Sequence, residues 1–444
     1  MWLAAASFSI PFWAIAIATG AEPTGLTVLA GPTGDVITLT VLTDGGASWF
    51  VGEIRDPVTT ETQLFVRRWD VDTELSTQRL ISDGLTVAGE LYLPATFAAP
   101  GTNQIHVLAR TDGPGPPECE EMTTILEEMQ VGRQTLDVLF RREVDASDGC
   151  TEHAHSFLTG HGPVDSLPAE LGAVWTVRDL EDLDDLGVAE RKIGSPAWSR
   201  RPAAAAFGPK AQDHAVMAYR SSGAGVVIFH DGDRLDTALV GAFETSAGLV
   251  RMDFSGVVGM GNWPHVVNQP SADSDPENPD DEDVLHLVWE QADTIWYSAC
   301  TGSNQVCSHA SAWSAPQLVT ADLVARRPQV AWTQQGHVFV AWDGEAGLDG
   351  RVRLAARCAA DSTFVDAERQ IDVDGAAGDE GLGGTGYVKS YPALAVDSSV
   401  VPASLGVAYT RLSDGDGALY EGRWGRVAVD GADGLCPDLG PARK

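Results

Sequence analysis

An all-β fold assembled from a repeated four-stranded unit is predicted for this 444-residue chain by three observations. Apolar residues recur with period two over most of its length. Those runs are rich in β-branched and aromatic side chains. A proline-led segment also returns at nearly constant intervals in the second half, at Pro202, Pro264, Pro328 and Pro392, with spacings of 62, 64 and 64 residues.

The first 21 residues, MWLAAASFSIPFWAIAIATGA, carry no charge and end on small side chains, so residues 1–21 read as a signal peptide or an N-terminal anchor. No Lys or Arg precedes Arg55, so the basic start of a typical export signal is missing. Residues 22–444 read as a single domain. A strand from Leu26 to Ala30 is expected to join the last unit and close a ring. Runs VITLTVL, SWFVGEI, QLFVRRWDV and TQRLIS, from Val36 to Ser82, make one unit. Runs ELYLPATFAA, NQIHVLAR, LDVLFRREV and AHSFLTG make a second, with MTTILEEM from Met122 expected as a short helix. Between His161 and Ser199, VWTVRDLEDLDDLGVAERKIG is either an outer strand with a loop or a degenerate unit of its own.

The second half is clearer from about residue 200 to 435. The opening segments RRPAAAAF, NWPHVV, RRPQVAW and SYPALAV are each followed by a run ending on a ring, at Tyr219, Trp289, Trp342 and Tyr409. Third runs are GVVIFHD, TIWYSAC, RVRLAARC and ALYEGRW, and fourth runs WSAPQLV, FVDAERQI and RVAVD. Four short antiparallel strands joined by Gly, Asp and Ser turns bury both faces only against neighbouring copies, which describes a blade. The prediction is a six-bladed β-propeller, with seven blades as the alternative if the stretch after His161 forms one.

Composition limits the partners. Lys plus Arg is 29 against 63 Asp plus Glu, a formal charge of −34, which argues against nucleic acid and against an anionic membrane surface. Membrane contact is expected only through the N-terminal segment, if that is uncleaved. Six cysteines in a chain that reads as exported favour disulfides over zinc, since no CxxC pair occurs. Fifteen pairings exist in principle. Cys300 with Cys307 would staple a hairpin, and proximity then leaves Cys119 with Cys150 and Cys358 with Cys436. The localisation expected is secreted or extracytoplasmic, in the periplasm or at the cell surface.

Candidate metal ligands are His153, His155 and His161 of HAHSFLTGH, the first two sharing a strand face. Oxygen-rich loops are the other candidates: SADSDPENPDDED from Ser271, Asp372 and Asp374 of DVDG, and Asp414 and Asp416 of DGDG. Such loops suit calcium, although none has EF-hand spacing. No cofactor is required by any motif, and structural calcium is the one ion the loops suggest. GxSxG and the P-loop are absent, and GLGGTG from Gly381, which has the bare GxGxxG spacing, follows the acidic DVDG run with no strand–helix pattern around it, so acyl and phosphoryl transfer are not supported.

The order of a proline, an alternating strand, a Val-Ala-Trp or Val-Ala-Tyr strand and a WSAPQLV outer strand resembles the six-bladed sialidase-like propellers. The resemblance covers residues 200–430 well and 26–160 loosely. It implies an arginine cluster for a substrate carboxylate and a tyrosine nucleophile. Tyr391 of SYPAL resembles that tyrosine, and Arg201 and Arg327, each just before a blade proline, are the candidate funnel arginines, with Arg110, Arg220 or Arg411 as a third. The family's Phe-Arg-Ile-Pro motif is absent, and its Ser-x-Asp-x-Gly box is approached only by SDGDGALY, where Gly415 stands in the third position. The leading expectation is therefore a secreted propeller binding a glycan or a cell-surface protein. A divergent exo-glycosidase using Tyr391 is the second, and a non-catalytic structural repeat of a surface assembly is the third.

Overall fold

The structure is a computed structural model of the chain. It describes residues 27–436 except 30–34, 56–61, 71–75, 83–93, 99–101, 113–123, 147–150, 163–168, 180–183, 201–211, 233–237, 255–260, 272–279, 321–324, 347–348, 362, 365–370, 373–391, 399, 401–402, 413–419 and 430–434. The described strands form seven four-stranded antiparallel sheets arranged as blades.

Strand β1 (Thr27–Leu29) belongs to the last blade and is taken up below. Blade 1 is β2 (Asp35–Asp44), β3 (Ala47–Arg55), β4 (Thr62–Asp70) and β5 (Ser76–Leu80). Blade 2 is β6 (Ala95–Phe97), β7 (Gln104–Asp112), β8 (Thr124–Gly132) and β9 (Val138–Ala146). Blade 3 is β10 (Thr151–His161), β11 (Glu170–Asp179), β12 (Asp184–Lys192) and β13 (Ser199–Arg200). Blade 4 is β14 (Gln212–Tyr219), β15 (Gly225–Asp231), β16 (Ala238–Thr245) and β17 (Gly248–Asp253). Blade 5 is β18 (Asn262–Gln269), β19 (Val284–Gln291), β20 (Thr294–Thr301) and β21 (Gln317–Thr320), with a single helical turn α1 (Asn304–Cys307) before β21. Blade 6 is β22 (Ala325–Trp332), β23 (Val338–Ala346), β24 (Asp349–Arg357) and β25 (Ile371–Asp372). Blade 7 is β26 (Ala393–Asp397), β27 (Ser404–Leu412) and β28 (Tyr420–Ala428), and β1 pairs with β28 as its outer strand. The ring is therefore closed by the N-terminal strand, as expected, which covers the outer edge of β28.

The blade count is seven, the alternative that the sequence left open. Of MTTILEEM, the described residues TILEEM from Thr124 lie in strand β8 rather than in a helix. That correction moves LDVLFRREV from third to fourth strand of blade 2 and makes AHSFLTG the inner strand β10 of a complete blade 3. In blade 4 the inner strand begins only at Gln212, so HAVMAY is the first strand and not the second. In blade 7, YEGRW of the expected third run and RVA of the expected fourth run together form the single strand β28 (Tyr420–Ala428).

Each blade is anchored to the next by its own apolar cluster. Seven clusters of buried side chains lie at the seven blade interfaces, from Trp49 and Met129 between blades 1 and 2 round to Phe50 and Trp424 between blades 7 and 1. The rings expected to end the second strands are all inside: Trp289 and Trp342 fully buried, Tyr219 and Tyr409 nearly so. Burying one such side chain contributes about 1.5–3 kcal/mol. Middle strands such as β15 are buried throughout, whereas outer strands such as β5 are mostly exposed.

Disulfides join Cys300 to Cys307 and Cys358 to Cys436, both as expected. Cys119 and Cys150 lie outside the described residues. Such bonds persist in oxidising compartments, consistent with an extracytoplasmic location. No helix among the described residues is long and apolar enough to cross a membrane.

Candidate functional site

The inner strands of all seven blades surround an axial cavity of about 270 Å³. Its wall is shaped by a repeated irregularity. In blades 3 to 6 the pairing of first and second strands slips at the same level, after Ala154, Asp213, Asn262 and Arg326. Two residues bulge out unpaired each time: His155-Ser156, His214-Ala215, Trp263-Pro264 and Arg327-Pro328. The first of each pair sits in the left-handed region, with φ of 43°, 51°, 47° and 54°. A non-glycine residue held there costs about 1–3 kcal/mol, and four at equivalent places mark a site that the surrounding fold imposes. Proline suits the second position because it has no N–H to pair. In blade 7, Pro392 lines the cavity at the corresponding place.

The bulges turn His155, His214, Trp263 and Arg327 toward the axis, where all four line the cavity. The His155 and His214 rings stack with centroids 3.8 Å apart, and Trp263 lies 3.9 Å from His214 and 5.4 Å edge-on from His155. Asp213 fastens the group across the blade interface. Its Oδ1 accepts from His155 Nδ1 at 2.5 Å, from Thr176 Oγ1 at 2.9 Å and from the His214 N–H at 2.8 Å. Asn262 Oδ1 accepts from the Trp263 N–H in the same way, at 2.8 Å.

Burial alone would raise the Asp213 carboxyl, but the bond from His155 and the charges of the His214 and His155 rings beside it hold it well below the usual carboxylate range. Burial pulls His214 down to about 4, helped by the charge of His155 and opposed by Asp213. His265 at the cavity wall is also pulled down to about 4 by burial. Arg327 pairs with Asp343, and its backbone N–H donates to Glu290 Oε2 at 3.4 Å. Burial lifts that Glu290 carboxyl to about 7.

Of the residues expected from sequence, His155 and Arg327 reach the cavity. The three histidines of HAHSFLTGH do not converge. His153 is buried against blade 2, bonded to Thr124 Oγ1 at 2.9 Å and Asp145 Oδ2 at 3.2 Å. His161 bonds the Gly162 carbonyl at 2.7 Å and packs edge-on against Tyr219. The bulge that begins after Ala154 defeats the shared strand face of His153 and His155. Arg201, Tyr391, Asp374, Asp414 and Asp416 lie outside the described residues, as does most of the SADSDPENPDDED loop. Asp372 ends the outer strand β25. Neither of two suggested third arginines lines the cavity. Arg220 is buried between blades 4 and 5, donating to Asn304 and Asn268 at 3.1 Å each, and Arg110 reaches the His153 carbonyl at 3.4 Å. His214, Trp263 and Asp213 were not singled out from sequence. The signal was the position before each repeat proline, extended to blades that lack the proline.

No family model matches the chain, and no curated protein matches it in sequence. Solved structures match it in fold. The polysaccharide lyase Uly1 superposes with a TM-score of 0.51 at 11% identity, covering 92% of each chain. A protein of unknown function from Dyadobacter fermentans gives 0.49 at 10% identity, covering 91% of this chain and 99% of that one. The Hadza microbial sialidase Hz136 gives 0.45 at 14%, covering 70% and 63%. At such identities the likeness to lyases, sialidases and lectins is one of fold: the chain is a β-propeller distantly similar in structure to proteins of those kinds.

Proposed function

We propose that the chain is a secreted saccharide-binding propeller that takes the end of a neutral glycan into its axial cavity. The observation that carries this reading is the set of strained bulges that present His155, His214, Trp263 and Arg327 at one level of that cavity. An indole at the wall gives an apolar platform for the C–H face of a sugar, and imidazole and guanidinium groups beside it offer donors to its hydroxyls. The cavity volume, about 270 Å³, lies just below the range of small-molecule sites, which begins at about 300 Å³. Charge selects the class of sugar. Arg327 is neutralised by Asp343, Asp213 is ionised, and the chain carries −34, so an acidic sugar meets no net positive anchor among the described residues.

Screening the purified protein on a glycan array, followed by titration of each hit against wild type and Trp263→Ala, tests this. Binding of neutral saccharides that weakens at least about tenfold in the variant, with its melting temperature preserved, is the expected result. An array on which no saccharide binds wild type would overturn it.

The second reading is an exo-glycosidase with Tyr391 and Arg327. It is favoured by one observation: Pro392, next in sequence to Tyr391, and Arg327 line the same cavity. Release from fluorogenic glycosides that disappears in Tyr391→Phe would decide for it.

A further inference from the structure

We propose that His155, Asp213 and His214 form a zinc site at the wall of the axial cavity, with its open coordination position facing the cavity. This goes beyond the saccharide reading and does not depend on it; the preference for neutral sugars argued there is that of the metal-free cavity. One donor atom from each of the three residues can be chosen so that all lie within 4.8 Å of one another. Two imidazole nitrogens and one carboxylate oxygen are a donor set suited to zinc, and three protein ligands with a free fourth position are the arrangement of zinc sites that also bind an exogenous ligand.

The unsatisfied polar atoms are the independent sign. His155 Nε2, His214 Nδ1 and His214 Nε2 are buried with no hydrogen-bond partner among the described residues. His214 Nδ1 lies 3.1 Å from Asp213 Oδ2, yet the two are not aligned as a hydrogen bond. That separation is close to the ~3.3 Å between neighbouring donors around a tetrahedral zinc with bonds of ~2.0 Å. A buried nitrogen without a partner costs roughly 1–3 kcal/mol, and an ion bound through one His214 nitrogen removes that cost there. A further histidine is near: His230, whose Nε2 also lacks a partner among the described residues, has its ring 6.5 Å from that of His214.

The scaffold already holds the ligands. Asp213 is fixed by Thr176 and by the His214 backbone, and His155 and His214 are set by bulges on adjacent blades. Little ordering is left for the ion to impose, and such support for the ligating groups is what raises affinity in metal sites. His155 and His214 line the cavity, so a ligand entering along the axis reaches the fourth position.

The test is zinc content by elemental analysis of the non-reduced protein after chelator treatment, reloading with zinc and desalting. Wild type is expected to hold about one zinc per chain. His214→Ala and the double variant His155→Ala/His214→Ala should fall to the blank, while His161→Ala, which alters a histidine outside the cluster, should keep its zinc. No zinc in reloaded wild type, retention in the double variant, or loss in His161→Ala would each overturn the site. Cobalt loading of wild type needs no variant to fold. Visible ligand-field bands of a tetrahedral nitrogen and oxygen site support the assignment. A thiolate charge-transfer band, which would place the ion at Cys358 and Cys436 beside His337, contradicts it, as does a spectrum with no bands at all.

Discussion

Glu53 shows how a single buried carboxyl couples this fold to pH. It sits on β3 with 1% exposure, and its Oε2 accepts from Thr38 Oγ1 at 3.4 Å. Burial lifts it from 4.5 to about 8, against the smaller downward pulls of Thr38 and the Arg110 charge. Between those values the native state keeps a proton that the unfolded chain has released. Stability is therefore fully present below about pH 4.5 and falls as pH rises toward 8. Glu53→Gln has no proton to lose, so its stability relative to wild type should rise from pH 4 to pH 8 by more than about 1 kcal/mol. Denaturant titrations of both proteins at the two pH values check this, and a difference that stays constant would contradict it. The same scale explains one misread element. Glu128 is fully buried on β8, bonded to His106 at 2.8 Å, to Arg191 at 2.5 Å and to Trp198 Nε1 at 2.9 Å. A charge at a core position breaks the alternation that announces a strand, and TILEEM then looks helical.

Strands were legible where their alternation was intact, as in VITLTVL, VLHLVWE and HVFVAWD, which are β2, β19 and β23. Blade 3 was hidden because DLEDLDD interrupts two strands that pair in register from Glu170 with Lys192 to Arg178 with Asp184. The cavity was half legible: its prolines were visible, but a bulge is a mismatch between two strands and has no signature within one. At the scale of the element, close approach of β11 and β12 depends on Gly187. A Cβ there would come within 2.1 Å of the fully buried Trp175 ring. Gly187→Ala should therefore destabilise by about 1–3 kcal/mol or more through overpacking. Thermal melts report it, and a variant as stable as wild type would show that the indole moves freely.

Closure decides the behaviour of the ring as a whole. Removing residues 1–30 deletes β1 and exposes the edge of β28, so the truncated protein should melt lower and associate with rising concentration in size-exclusion chromatography. A monomer of unchanged stability would contradict a closing role for β1. The disulfides differ in reach. Cys358–Cys436 spans 78 residues and ties the end of β24 to the segment after β28, whereas Cys300–Cys307 spans 7 within blade 5. Chain entropy assigns about 4.5 kcal/mol to the first and about 2.4 kcal/mol to the second. Serine pairs at each bridge should lower denaturation midpoints in that order, and the reverse order would place the larger constraint in blade 5. The whole ring also brings seven inner strands to one axis, which is where the saccharide reading places recognition. A crystal structure of the protein with a neutral saccharide chosen from the array tests that placement most directly. Electron density for a sugar in the axial cavity, against Trp263, is the predicted result, and density confined to the outer faces of the blades would contradict it.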